Sequence, residues 1–239
     1  MITNLNINKI YNISKLKSKA KICSTVVASL RDNMKTFPEI AFLKWKTNLN
    51  IEFEKEEFLD LFTKMYTLTK DNKILIFNYR LLHRNTITNK NLNLWDNNKP
   101  PEERHTDKCT FCNIFIETIE HLFYDCVYIK QIWEDLFNWV YEKCSLRIGF
   151  SRREIILNDS NDDLKIFNLI FMIVKKQIHT IRCLKTRPNF NSIKYHITQY
   201  YKAEEKIALK NNHLTHFLAK WDPVINCFVD SSLPTRIQY

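Results

Sequence analysis

The segment KCTFCNIFIETIEHLFYDC, residues 108–126, holds three of the chain's seven cysteines and one of its seven histidines. The spacing is C-x2-C-x8-H-x4-C, over Cys109, Cys112, His121 and Cys126. Two cysteines separated by two residues form a turn that presents both thiolates to one metal ion. A histidine and a third cysteine then close a tetrahedron. Cys3His is a donor set for structural zinc, and four protein ligands leave no position for a reactive water. The segment therefore predicts one structural Zn2+ and argues against catalysis at the metal. Geometry adds a constraint. At about 100° per residue on one α-helix, His121 and Cys126 would point about 140° apart. The helix that carries Glu117–His121 must therefore break near Tyr124–Asp125, with Cys126 opening the next helix. His105, four residues before Cys109, is the rival ligand.

Outward from this knuckle the pattern is helical. The 239 residues include one glycine, Gly149, and six prolines, too few turn formers for a fold of many short strands. After the knuckle, Ile129, Ile132, Trp133, Leu136, Phe137 and Val140 recur at intervals of three and four, predicting a helix over 127–143. Before it, Asp71 caps a helix over 72–83 and Thr88 caps a short one ending at Trp95. Pro100 and Pro101 then break structure. Further upstream, Phe58, Leu59, Leu61, Phe62 and Met65 mark the apolar side of a helix over 54–67. Ile40, Leu43 and Trp45 mark that of a shorter one. A basic helix is expected around 17–33.

The last third reads as two long stripes. The first is Leu164, Phe167, Phe171, Val174, Ile178 and Ile181. The second runs from Phe190 through Ile193, Ile197, Tyr200, Ile207, Leu214 and Leu218 to Trp221, with gaps at Glu204 and Asn211. Pro188 separates them, as at the start of a helix. The expected fold is mostly α: a helical domain with an embedded Cys3His knuckle and a C-terminal long-helix hairpin. Its parts are a basic segment (1–36), a helical region (37–148) containing the knuckle (109–126), the hairpin (157–222) and an irregular tail (223–239). Residues 157–163 read as a loop, with Asp162 and Asp163 in a capping role. Cys23, Cys144, Cys183 and Cys227 have no Cys or His at ligand spacing and read as small core residues.

The net charge of +10 points to an anionic partner, with nucleic acid the first class to consider. It is unevenly spread. Residues 1–50 carry nine Lys/Arg against two Asp/Glu, 101–150 five against nine, and 151–239 fourteen against eight. No apolar leader opens the chain, and seven cysteines are an odd number, so a reducing intracellular compartment is expected, nucleus and cytoplasm being indistinguishable. The longest apolar run, Ile166 to Val174, is far short of the about 20 residues that a membrane span needs. No triad, phosphate loop or open metal site suggests a small-molecule substrate or an enzyme.

The stretch KCTFCNIFIETIEHLFYDCVYIKQIWEDL resembles the reverse-transcriptase zinc-binding domain of LINE-like, non-LTR retrotransposons. The likeness rests on Cys109, Cys112, Glu117, Thr118, His121, Leu122, Phe123, Cys126 and Trp133. NYRLLHRNTITNKNLNLW, residues 78–95, is similar to the helix that precedes the knuckle in that family. KKQIHTIRCLK and FLAKW resemble its C-terminal extension. The paired aspartates of a polymerase palm are missing, since Asp162–Asp163 follow polar residues. The resemblance implies a non-catalytic accessory module at the C-terminal end of such a polyprotein, with a reverse transcriptase core encoded upstream. It also implies a role in holding RNA or DNA during target-primed reverse transcription. Arg80, His83 and Arg84 share a helix face. Lys175, Lys176, Arg182 and Lys185 line the penultimate helix. These seven are the candidate phosphate contacts, and Phe111 or Phe115 is a candidate base-stacking ring. The alternative is a helical protein-interaction domain with a purely structural zinc.

Overall fold

The computed structural model describes residues 38–161 and 164–228. The described residues from Ala41 onward belong to one compact unit, which holds the knuckle. The basic helix expected at 17–33, Cys23 and the Asp162–Asp163 pair lie outside the described residues.

Among those residues the architecture is helical, with no strand and a single isolated bridge, Lys108 to Ile116. Before the knuckle come α1 (Glu39–Leu49), α2 (Lys55–Leu68), α3 (Asn72–Leu82) and α4 (Asn89–Trp95). After it come α5 (Val127–Cys144), α6 (Arg152–Leu157), α7 (Lys165–Cys183), α8 (Phe190–Lys210) and α9 (Leu214–Trp221). A 3-10 turn, Asp222–Cys227, follows α9, so the part of the tail from Pro223 to Cys227 is regular, contrary to the irregular segment expected.

The caps follow sequence chemistry. Asp71 accepts hydrogen bonds from the backbone N–H of Lys73 and Ile74, relieving two of the four unpaired donors at the start of α3. Thr88 and Asn91 form a reciprocal box at α4. Asn189 accepts from the N–H of Asn191 and opens α8. Ser145 ends α5 with φ 54°.

α7 is the centre of the core. From Ile166 to Lys175 every residue is buried, because α2, α3, α6 and α8 all pack against it. The second C-terminal stripe is not one helix. Asn212 takes φ 57°, a left-handed turn that Asn tolerates better than most residues, and α8 and α9 pack against each other across it. In α1 the buried face is Ala41, Phe42 and Trp45. Ile40 and Leu43 are exposed, contrary to expectation, because the large rings of Phe42 and Trp45 set which side turns inward. Trp45 is fully buried and its indole N–H donates to the Leu82 carbonyl at 2.8 Å.

Candidate metal centre

The knuckle begins as a tight reversal. The N–H of Cys109 donates to the Phe115 carbonyl at 2.8 Å, and the N–H of Glu117 donates to the Asp107 carbonyl at 2.8 Å. At the tip Asn113 has φ 55° and its N–H reaches the Cys109 carbonyl at 2.9 Å. The Phe111 N–H points at Cys109 Sγ, 3.4 Å away. Thr118 Oγ1 then accepts from the His121 N–H at 3.1 Å and starts the helical turn that presents His121.

That turn does not continue as an α-helix. His121–Asp125 is a π turn, closed by the Cys126 N–H on the His121 carbonyl at 2.9 Å. The wider turn carries Cys126 back over His121, where an α-helix would have swung it aside. Cys126 then takes extended dihedrals (φ −62°, ψ 133°) and caps α5. The break falls where a shared ion requires it. Trp133 of α5 secures the turn by donating its indole N–H to the Phe123 carbonyl at 2.9 Å.

The four donor atoms converge, all within 4.8 Å of one another. Cys109 Sγ lies 3.8 Å from Cys126 Sγ, and Cys112 Sγ lies 3.4 Å from His121 Nε2. Zinc bonds of about 2.3 Å to sulfur and about 2.05 Å to nitrogen put tetrahedral S–S edges at about 3.8 Å and S–N edges at about 3.6 Å. The residues present therefore fit the ion. Cys109, Cys126 and His121 are buried and Cys112 is half-buried. Without metal the ligands share protons. The Cys109 thiol is pushed up to about 12, first by donating to Cys126 and then by burial. Cys126 is lowered by accepting that bond. His121 is raised mainly by its bond to Cys109, against burial. A bound cation takes the place of these shared protons.

Two buried acids tie the knuckle to the helices. Glu117 is wholly buried, and its Oε1 accepts from Arg182 Nη2 at 2.7 Å, Arg182 Nε at 3.0 Å and the Asn89 N–H at 2.9 Å. Its Oε2 accepts from the N–H of Thr110, inside the Cys-x2-Cys turn, at 2.8 Å. Glu120 Oε1 accepts from Arg84 Nη1 at 2.6 Å and from Asn48 Nδ2 at 2.9 Å. The Arg84 guanidinium also lies over the Trp45 ring at 4.2 Å. Burial pushes the Glu120 carboxyl up, but the Arg84 and Asn48 bonds and the Arg84 charge outweigh it, and the net shift is down. The three acids inside the knuckle are thus each paired with an arginine, since Asp125 meets Arg152 at 2.5 Å, though only Glu117 and Glu120 face inward.

Residues 44–133 match the family model described as zinc-binding in reverse transcriptase. This segment is a reverse-transcriptase zinc-binding domain. The match begins beside Trp45, over which the Arg84 guanidinium lies, and ends on Trp133, which holds the Phe123 carbonyl. No curated protein matches the chain.

The seven candidate phosphate contacts separate into two groups. Arg84 and Arg182 are spent on Glu120 and Glu117. Lys175 is wholly buried, donating to the Ile156 carbonyl at 2.5 Å and to Asn158 Oδ1 at 2.7 Å. His83 ends α3 half-buried between Phe62 and Tyr79, with ring centroids at 4.9 and 4.4 Å, and burial lowers its pKa. These four are structural, because each meets a partner far away in sequence or an aromatic wall that helix periodicity does not reveal. Arg80 and Lys185 are exposed and Lys176 half-exposed. Arg80 and Lys176 line one groove of about 610 Å³, together with Lys73, Ile76, Phe77 and Ile87. Lys73 was not a candidate from the sequence; it lies on α3 seven residues before Arg80, two helical turns away. Lys108 and Lys185 line an adjoining groove. Among the described residues none of these five has a carboxylate partner. Phe115 is exposed at the knuckle tip, its ring 5.7 Å from that of His121, and Phe111 is half-buried. His105 is not a ligand. Its ring bonds to Asp96, and its carbonyl accepts from Asn93 Nδ2 at 2.7 Å.

Proposed function

We propose that this chain is a non-catalytic accessory module of a non-LTR retrotransposon reverse transcriptase. It holds one structural zinc and binds RNA or DNA during target-primed reverse transcription, in a reducing intracellular compartment. A closed Cys3His set supports the structural role of the metal, since it leaves no site for water or substrate. Among the described residues no helix is long and apolar enough to cross a membrane.

The observation that carries the nucleic-acid reading is the groove between α3 and α7. Lys73, Arg80 and Lys176 line it without carboxylate partners, over a partly apolar floor. Such cations neutralise phosphates and release counterions, giving salt-dependent binding of low sequence selectivity. The Glu117–Arg182 and Glu120–Arg84 pairs hold the knuckle against α7 and against the left-handed turn at Arg84 that follows α3.

The test is fluorescence anisotropy with labelled RNA and DNA at two salt concentrations. Arg80→Gln/Lys176→Gln should weaken binding and flatten the dependence of log K on log salt by about 2. No binding of either polymer at low salt refutes the reading.

A second reading, a protein-interaction domain with zinc as a staple, is favoured by the knuckle tip. Ile114, Phe115 and Ile116 are consecutive and all exposed there. Under that reading Phe115→Asp abolishes partner binding and leaves nucleic-acid affinity unchanged.

A further inference from the structure

We propose that Cys144 and Cys227 are a thiol pair that closes to a disulfide under peroxide, a modification site separate from the zinc centre. Their Sγ atoms lie 3.5 Å apart across 83 residues of sequence. Cys144 is the last residue of α5, and Cys227 is the last residue of the 3-10 turn that packs against α5. The pair was legible only as two small core residues, because nothing in their local spacing links them.

The neighbourhood holds the sulfurs together. Phe228, next to Cys227, stacks on Tyr201 with centroids 4.3 Å apart and planes 9° apart. The edge contacts of Phe228 reach Trp221 at 5.3 Å and Trp139, five residues before Cys144, at 5.6 Å. This aromatic cluster pins the turn onto α5. Both cysteines are only half-buried, so a small oxidant can reach them. The other described cysteines differ. Cys109, Cys112 and Cys126 form the metal cluster. Cys183 is exposed, and its sulfur neighbours the His179 ring at 3.8 Å.

The chemistry balances with hydrogen peroxide as the oxidant. The Cys144 thiol gives up its proton and its sulfur attacks one peroxide oxygen. The O–O bond breaks, and the departing hydroxide takes that proton and leaves as water, with a sulfenic acid on Cys144. The Cys227 sulfur then attacks the Cys144 sulfur and the S–O bond breaks. The expelled hydroxide leaves as water with the Cys227 proton. Two thiols lose two electrons in total and one peroxide becomes two waters. Burial and the adjoining Cys144 thiol raise the Cys227 pKa, against the weaker pull of Lys194 and Lys143, so Cys227 is not the thiol that meets peroxide first. The product would fasten the C-terminal turn covalently to the helix whose other end is capped by the zinc ligand Cys126.

The test treats the full zinc-loaded chain with stoichiometric hydrogen peroxide, alkylates remaining thiols under denaturing conditions, and maps tryptic peptides by mass spectrometry. The expected product is the peptide beginning at Cys144 linked to the peptide containing Cys227, lost on treatment with dithiothreitol, with zinc retained. Cys144→Ser and, independently, Cys227→Ser should each abolish it and leave zinc content unchanged. Separate conversion of the two cysteines to sulfinic acids overturns the proposal. So does bonding of Cys144 to Cys183 as often as to Cys227.

Discussion

Replacing Arg182 by methionine should destabilise the protein and loosen its grip on zinc. Glu117 is wholly buried and Arg182 nearly so. Methionine keeps much of the aliphatic volume but removes two charged donors, at 2.7 and 3.0 Å, from one carboxylate oxygen. Stranding one member of a buried pair costs about 3–5 kcal/mol. The low end applies here, because the N–H groups of Asn89 and Thr110 still reach the carboxylate. For a chain of this size, about 3 kcal/mol lowers Tm by roughly 6–12 °C. The second effect is on the metal. Glu117 orients the turn between Cys109 and Cys112 through Thr110, and loss of such outer support weakens metal affinity by about 10- to 100-fold. Thermal unfolding and competition with a chromogenic chelator read the two effects. If Arg182 instead served mainly as a phosphate contact, Arg182→Met would keep wild-type Tm and zinc affinity and lose only nucleic-acid binding. That result would refute the reasoning.

Three further outcomes follow from the same geometry. Chelation of the metal should melt residues 107–126 and leave most helical circular dichroism intact, since α7 is enclosed mainly by α2, α3, α6 and α8; a global loss of ellipticity would count against this. Lys175 is buried with its pKa lowered well below the ordinary lysine value by desolvation. The unfolded chain therefore binds the extra proton, and stability should rise with pH from the folded pKa up to about 10.4, the unfolded value; Lys175→Met should remove that rise while leaving the salt dependence of nucleic-acid binding unchanged. Glu120 has its pKa lowered in the folded state, so its contribution is present above the unfolded value near 4.3 and is lost as pH falls through the lower folded value. Glu120→Gln should flatten that part of an acid-unfolding curve, and an unaltered curve would show that Arg84 does not stabilise the carboxylate.

Local features of this fold were legible because their chemistry is local. Asp71 and Thr88 cap helices within three residues of themselves. The angular mismatch between His121 and Cys126 required a break, and the π turn supplies it. Ser151-Arg152-Arg153-Glu154 spells the reciprocal cap of α6, a signal that lies within four residues of sequence. What periodicity could not supply was which basic side chains turn inward. Arg84 and Arg182 meet acids 36 and 65 residues away, and Lys175 meets the end of α6. On a helical wheel they resemble Arg80 and Lys176. The difference lies in what packs opposite, which only the tertiary fold determines. The same holds for Cys144 and Cys227.

The closed Cys3His centre is the central claim, and X-ray absorption at the zinc edge of the purified full chain tests it most directly. The account predicts one zinc per chain, with three sulfur scatterers at about 2.3 Å and one nitrogen at about 2.0 Å, and Cys126→Ser exchanging one sulfur for a lighter atom. A chain without zinc, or a first shell that keeps an exchangeable water in place of one protein ligand, would contradict it.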